Sequence, residues 1–201
     1  MRHDAVHANR GDVSNAAAVT GNGNGAADLL ALYDRALPHV YGYLVRRCDS
    51  TAMAEDLTAE AFMAAATALL EGTAREISTG WLIGTARHKL IDHWRRNERH
   101  RKALTLIATN DVEPDPNDQP ITTSHAHDVL AELSAEHRTV LTLRYIDGLP
   151  VTDVARTIDR SVHATESLIQ RAKAAFRHVS AEIANNSSPD DSTERGTNRD
   201  R

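Results

Sequence analysis

Apolar residues return at three- and four-residue steps along most of this chain. Leu29, Leu32, Tyr33, Leu37, Val40, Tyr41 and Leu44 fall on one side of a helix, with Asp28 as its candidate cap. A second helix is expected over about Ala52–Leu70, with Met53, Leu57, Ala61, Phe62 and Leu69 inward and Asp49 or Ser50 as its cap. The stretch EGTAREISTG (71–80) interrupts the pattern. A third helix follows over about Thr79–His100 on a stripe of Leu82, Ile83, Ala86, Leu90, Ile91 and Trp94.

Pro114, Pro116 and Pro120 then stand in an acidic, polar run, which reads as an extended linker over 103–124. The helical pattern resumes at Val129, Leu130 and Leu133. Ser134 is a good cap for a helix burying Val140, Leu141, Leu143 and Ile146, and Gly148 closes it. Val151, Val154, Ala155 and Ile158 make a short amphipathic helix. Asp159-Arg160-Ser161 is a tight turn, and Val162, Thr165, Ile169, Ala172 and Phe176 make a longer helix. Residues 1–26, with GNGNG at 21–25, and residues 185–201 are expected to be disordered polar tails. No segment alternates as a strand does, so the expected class is all-α. Two small helical domains, 27–102 and 125–184, flank the linker.

Composition narrows this further. Aromatics are 4% of the chain, so its cores are built from Leu, Ile, Val and Ala. No stretch is apolar enough to span a membrane. The first residues, MRHDAVHANRGD, lack the apolar core of a secretory signal, which makes the cytoplasm the expected location. The single cysteine, Cys48, excludes an internal disulfide or a cysteine-based zinc site and suits a reducing compartment. It is read as packing, although Arg46 and Arg47 lie near it.

The net charge of −5 argues against a surface that binds nucleic acid everywhere, but it hides a segregation. Residues 87–102, RHKLIDHWRRNERHRK, hold seven Lys and Arg against two acids, a net of +5. Residues 103–128 carry five acids and no Lys or Arg. A localised cationic helix face binds anions; a merely solvated face is the alternative.

Catalytic and metal chemistry find little support. His125 and His127 are read as sitting in a linker without further ligands. His88 and His93 do not share a helical face well. H-E-x-x-H, phosphate-loop and nucleophile-elbow motifs are all missing, so no enzyme, metal or cofactor is expected.

Residues 151–177 have the layout of a helix-turn-helix, with the small Ala155 where two helices crossing steeply approach. The second helix turns His163, Glu166, Ser167, Gln170, Arg171 and Lys173 outward, and such a helix enters a DNA major groove. The two halves together resemble the extracytoplasmic-function (ECF, group IV) sigma factors of bacterial RNA polymerase, over about residues 28–180. LYDRALPHVYGYLVRRC (32–48) is similar to that family's first helix in region 2. AEDLTAEAF (54–62) is similar to its core-polymerase-binding motif, and WLIGTARHKLIDHWRR (81–96) to its −10 region. LAELSAEHRTVLTLRYIDGLPVTDVA (130–155) and the helix from Ser161 resemble its −35-reading region 4.

The resemblance implies a factor that binds core RNA polymerase, recognises −10 and −35 promoter elements and assists strand opening. Glu55, Asp56, Leu57, Glu60 and Phe62 would meet the clamp of the largest polymerase subunit, and region 4 the flap of the second. Arg87, His88, Lys89, Asp92, Arg95, Arg96 and Arg99 would hold the −10 element, with a pocket for an extruded base near 71–80. Trp81 and Trp94 are read as packing, base stacking being the alternative for Trp94. Ser161, His163, Ala164, Glu166, Ser167, Gln170 and Arg171 would meet the −35 element, Glu166 suiting a cytosine amine and Gln170 an adenine. An anti-sigma factor covering these faces is implied as a further partner. The acidic linker would thread the polymerase cleft, where its charge mimics nucleic acid, or serve as a plain tether.

Three departures from the family pattern stand out. Glu166 and Leu168 occupy positions where relatives often carry basic residues, and Leu168 is either outward, against a thymine methyl, or buried. Pro150 replaces the usual Ser cap of the first helix-turn-helix helix. Two alternatives remain. A standalone helix-turn-helix regulator would bind duplex DNA without polymerase, and an adaptor would show no salt-dependent DNA affinity.

Overall fold

The computed structural model describes residues 19–20, 25–74, 76–107 and 124–186. The chain divides into two compact units, Met1–Thr122 and Thr123–Arg201. Each is built from helices.

The first unit packs three helices, α1 (Gly25–Val45), α2 (Thr51–Leu70) and α3 (Thr79–Ile107), all against one another. Leu32, Leu44, Leu57, Leu82 and Leu90 meet in its interior with Ala36, Ala61, Ala65 and Ala86. The alanines matter because three helices share one small core and small residues let their axes come close. α1 begins before Asp28, so the expected cap lies inside the helix. Ser50 caps α2, its Oγ accepting from Met53 N–H at 3.3 Å. Ser78 does the same for α3, accepting from Trp81 N–H at 3.2 Å. Cys48 is fully buried, as packing requires.

One element was not expected. Val19–Thr20 (β1) pairs antiparallel with Glu76–Ile77 (β2), joining Val19 to Ile77 and Thr20 to Glu76. These runs are too short to show an alternating pattern in sequence. They leave the class all-α but place two residues of the expected amino-terminal tail against the loop before α3. α3 also continues past the expected linker start at residue 103, to Ile107. Of the linker, residues 108–123 lie outside the described residues, as do residues 1–18 and 187–201 of the tails.

The second unit holds α4 (His125–Glu132), α5 (Ala135–Leu141), a π-helical turn (Thr142–Ile146), α6 (Val151–Thr157) and α7 (Val162–Asn186). Ser134 caps α5 through its Oγ to His137 N–H at 3.3 Å, as its position predicts. Gly148 takes φ +68°, and Leu149 N–H reaches back to Leu143 O at 3.0 Å, closing the helix. Pro150 still admits α6, because its carbonyl accepts from Asp153 and Val154 N–H at 2.9 and 3.0 Å. Asp159 closes α6 in the left-handed region at φ 55°, with Arg160 N–H bonded to Ala155 O at 2.9 Å.

Two inward expectations fail here. Ile146 is 45% exposed, because the π turn inserts extra residues per turn and rotates Tyr145 and Ile146 out of the stripe. Val162 is also exposed, since the first turn of α7 starts beyond the packed body of the helix. Leu168, open in sequence between base contact and core, is fully buried beside Ile169, Ala172 and Thr165. Leu168→Ala should therefore cost about 2–5 kcal/mol, read by denaturant unfolding of the second unit. Gln170→Ala, on the outward side of the same helix, should leave stability within about 0.5 kcal/mol.

Candidate nucleic-acid interface

The stripe that anchors α3 is Leu82, Ala86, Leu90, Ile91 and Trp94, all buried. With those positions inside, helical geometry turns His88, Asp92, Arg95, Arg96 and Arg99 outward on one row, and all five are exposed. Arg95 and Asp92 approach to 3.7 Å within that row. Arg87 and Lys89 flank it and are engaged elsewhere. The Arg87 guanidinium lies 5.9 Å from the Tyr43 ring centroid. The Lys89 ammonium meets Glu60 of α2 at 3.1 Å. One expected polymerase contact and one expected DNA contact are thus paired with each other. Trp94 belongs to the core, and Trp81 is half-buried at the start of α3.

Among the described residues, His88 has a shifted acidity. Partial burial lowers its pKa from 6.5, Asp92 opposes the change, and the Arg87 and Arg95 guanidiniums lower it further. The neutral imidazole is therefore the resting form at pH 7, and a DNA phosphate would reverse the bias.

The expected polymerase-binding residues separate into two groups. Glu55 and Asp56 are exposed on α2 and Glu60 is half-buried. Leu57 and Phe62 are buried: Leu57 is core, and the Phe62 ring packs on Tyr33 with centroids 4.7 Å apart. These two hold α2 in place rather than presenting surface. Met63, missed in the sequence reading, is 69% exposed and extends the outward row of Asp56 and Ala59 by one turn. The signal was available in its helical spacing from Asp56.

In the second unit Ser161, His163, Glu166, Ser167, Gln170 and Arg171 are exposed, and Ala164 is half-buried. The Ser161 hydroxyl caps α7, accepting from Ala164 N–H at 3.2 Å. Ser161 therefore fixes the start of the helix through its side chain, and the exposed polar row is made by the residues after it. Thr165 Oγ1 turns inward and donates to Ser161 O at 2.9 Å. Arginines flank this helix in ion pairs: Arg156 meets Asp153 at 2.7 Å, and Arg160 meets Glu136. Farther along α7, Phe176 joins Leu130, Leu141, Tyr145 and Ile146 around an apolar groove of about 320 Å³, with Lys173 and Arg177 also lining it. Among the described residues no cluster of His, Cys, Asp or Glu could hold a metal. No described helix is long and apolar enough to cross a membrane.

Comparison with known proteins adds two family profiles. Sigma-70 region 2 matches residues 32–100, and Sigma-70 region 4 matches residues 126–176. The ECF RNA polymerase sigma factor BldN of Streptomyces coelicolor is 31% identical over 156 residues, which cover 74% of this chain and 59% of BldN. The ECF RNA polymerase sigma factor SigL of Mycobacterium tuberculosis is 29% identical over 164 residues, 79% of this chain and 92% of SigL. Among solved structures, the sigma factor RpoE in its co-crystal with the anti-sigma factor NepR from Bartonella quintana matches with a TM-score of 0.49. That likeness has 18% identity and covers 76% of this chain and 96% of that one.

The acidity of His88 generates a prediction. Its lowered pKa means that the unfolded chain takes up the proton first on acidification, so this group withdraws stability as pH falls below 6.5. Binding to a single-stranded oligonucleotide should show the opposite sign, because phosphate favours the imidazolium. Fluorescence anisotropy between about pH 7.5 and 5.5 should show wild-type affinity rising more steeply than that of His88→Gln. Parallel curves would place His88 away from bound phosphate.

Proposed function

The chain belongs to the sigma-70 family, in its ECF group, and from that membership we propose that it binds core RNA polymerase and directs it to promoters. One combination carries this reading: a cationic helix row within the region 2 match and an exposed helix-turn-helix within the region 4 match, both in one chain. A regulator that only bound duplex DNA would need the second and not the first.

The first domain, residues 27–102, takes the −10 element. His88, Arg95, Arg96 and Arg99 line one face and neutralise phosphates, which sets affinity and salt dependence. Strand opening costs a few kcal/mol per unstacked base. Capture of the extruded base in the loop before α3 offsets that cost, and the cap of Ser78 on α3 supports that loop. Arg87 and Lys89 act from the edges of the face. Asp92 tempers its charge through Arg95. Glu55, Asp56 and Met63 offer the clamp of the largest polymerase subunit a surface that is acidic at one end and apolar at the other. Leu57 and Phe62 hold that surface from inside.

The second domain, residues 125–184, takes the −35 element through His163, Glu166, Ser167, Gln170 and Arg171 on α7. The flap of the second polymerase subunit docks in the apolar groove at Tyr145, Ile146 and Phe176. This groove lies farther along α7 than the base-reading residues, so both contacts can form together. An apolar helix with acidic flanks suits that groove, given Lys173 and Arg177 in its lining. The acidic linker passes through the polymerase cleft between these engagements. The polymerase performs nucleotidyl transfer, in the cytoplasm, and this chain supplies recognition. An anti-sigma factor regulates it by covering the same faces.

The test is reconstitution with bacterial core RNA polymerase on a library of promoter fragments. Co-elution and new start sites are expected, and the aligned starts supply the −10 and −35 sequences. Specific duplex binding without core binding would replace this reading with the standalone regulator. Asp56→Lys should abolish co-elution with core while leaving thermal unfolding unchanged, since Asp56 is exposed. Undiminished co-elution would remove α2 from the clamp interface.

A further inference from the structure

Arg160 sits in the turn between the two helices of the helix-turn-helix, one residue before the cap of α7. Its backbone is held by the hydrogen bond to Ala155 O, and its side chain pairs with Glu136 in the first turn of α5. The partners are 24 residues apart in sequence, and both side chains are more than two-fifths exposed. The fold does not depend on the pair. The turn is already closed by the Asp159 conformation and the Ser161 cap, and exposed ion pairs contribute little to stability. Glu136 itself suits its place, where a carboxylate complements the amino end of a helix.

The surroundings make this pair consequential. Over residues 151–171, which form α6, the turn and the first part of α7, Arg156, Arg160 and Arg171 stand against Asp153, Asp159 and Glu166, and α5 adds Glu136. The face expected to meet duplex DNA therefore carries no excess of cations, in contrast to α3. When the amino end of a recognition helix enters a major groove, the turn before it comes alongside the phosphates. A guanidinium there binds phosphate through the same bidentate geometry that it uses for carboxylate.

We propose that Arg160 is a phosphate-contacting residue of the −35 interface, and that Glu136 is its internal competitor, surrendering the guanidinium when DNA docks. The proposal rests on the reading that α7 meets duplex promoter DNA. It makes the second domain a weak electrostatic binder at rest, whose base contacts then count for more of its selectivity.

The experiment measures affinity of the reconstituted holoenzyme for duplex promoter fragments, with the −35 element intact or scrambled, across a salt series. Arg160→Gln should weaken binding several-fold and flatten the log–log salt slope by about 0.9, one phosphate contact. Glu136→Gln should tighten binding about two- to five-fold, the size an exposed ion pair carries. The double variant should match Arg160→Gln, because Glu136 acts only through Arg160. Should Arg160→Gln prove unfolded, Arg160→Met serves in its place, since it also removes the charge and should flatten the slope equally. Arg160→Lys keeps the charge and should keep the slope. An unchanged slope in the charge-removing variant, or a changed one in Arg160→Lys, would overturn the proposal. Equal tightening by Glu136→Gln with and without Arg160 would also overturn it, showing direct repulsion of DNA by Glu136. A wild-type holoenzyme indifferent to scrambling would overturn the −35 reading itself, and the proposal with it.

Discussion

Leu168, Ile169, Ala172 and Thr165 lie inside the second unit, and what α7 can present outward follows from that burial. A helix has one rotation about its axis, so assigning four positions to the core assigns the rest to solvent. The same holds for α3, where Leu82, Ala86, Leu90 and Trp94 point inward. The arginines between them have nowhere else to go. In both units the exposed faces are the complements of buried stripes. Partner binding and domain stability are separable for this reason: outward residues change one, and inward residues change both.

The two outward faces use charge differently. On α3 the cations outnumber the acids: Arg95 and Lys102 meet Asp92 and Glu98 of the same helix, and Lys89, at the edge of the row, meets Glu60 of α2. Such a face attracts polyanions at a distance and is screened by salt. Around the start of α7 the arginines meet carboxylates from α5 and α6, so long-range attraction of anions there is small. Joining an attractive face to a selective one in a single chain suits a protein that must find DNA and then discriminate along it.

Much of this was legible in sequence, and the misses share a cause. Ser50 and Ser134 cap the helices where their positions predict, because capping is a local hydrogen bond between residues three apart. Leu168 was ambiguous because its periodicity fits the stripe while the family resemblance led one to expect a cation there; the packing of α7 resolves it. Ile146 was misread because a π turn shifts register by a fraction of a turn, and no composition signal marks where it begins. Leu57 and Phe62 were read both as inward, from their spacing, and as polymerase contacts, from the motif they fall in; they are buried, and a motif does not say which of its members face out.

Periodicity, caps and charge runs were sufficient for the helices, the division into two halves and the cationic face, since each depends on residues within a turn or two of one another. The pairings of Arg160 with Glu136, Lys89 with Glu60 and Phe62 with Tyr33 were not readable in that way. They join residues distant in the chain, and their existence depends on how helices settle against each other once their stripes are buried. The roles of individual side chains, as core, brace or contact, were decided at that stage. Burial is a property of the packed assembly, and periodicity only proposes it.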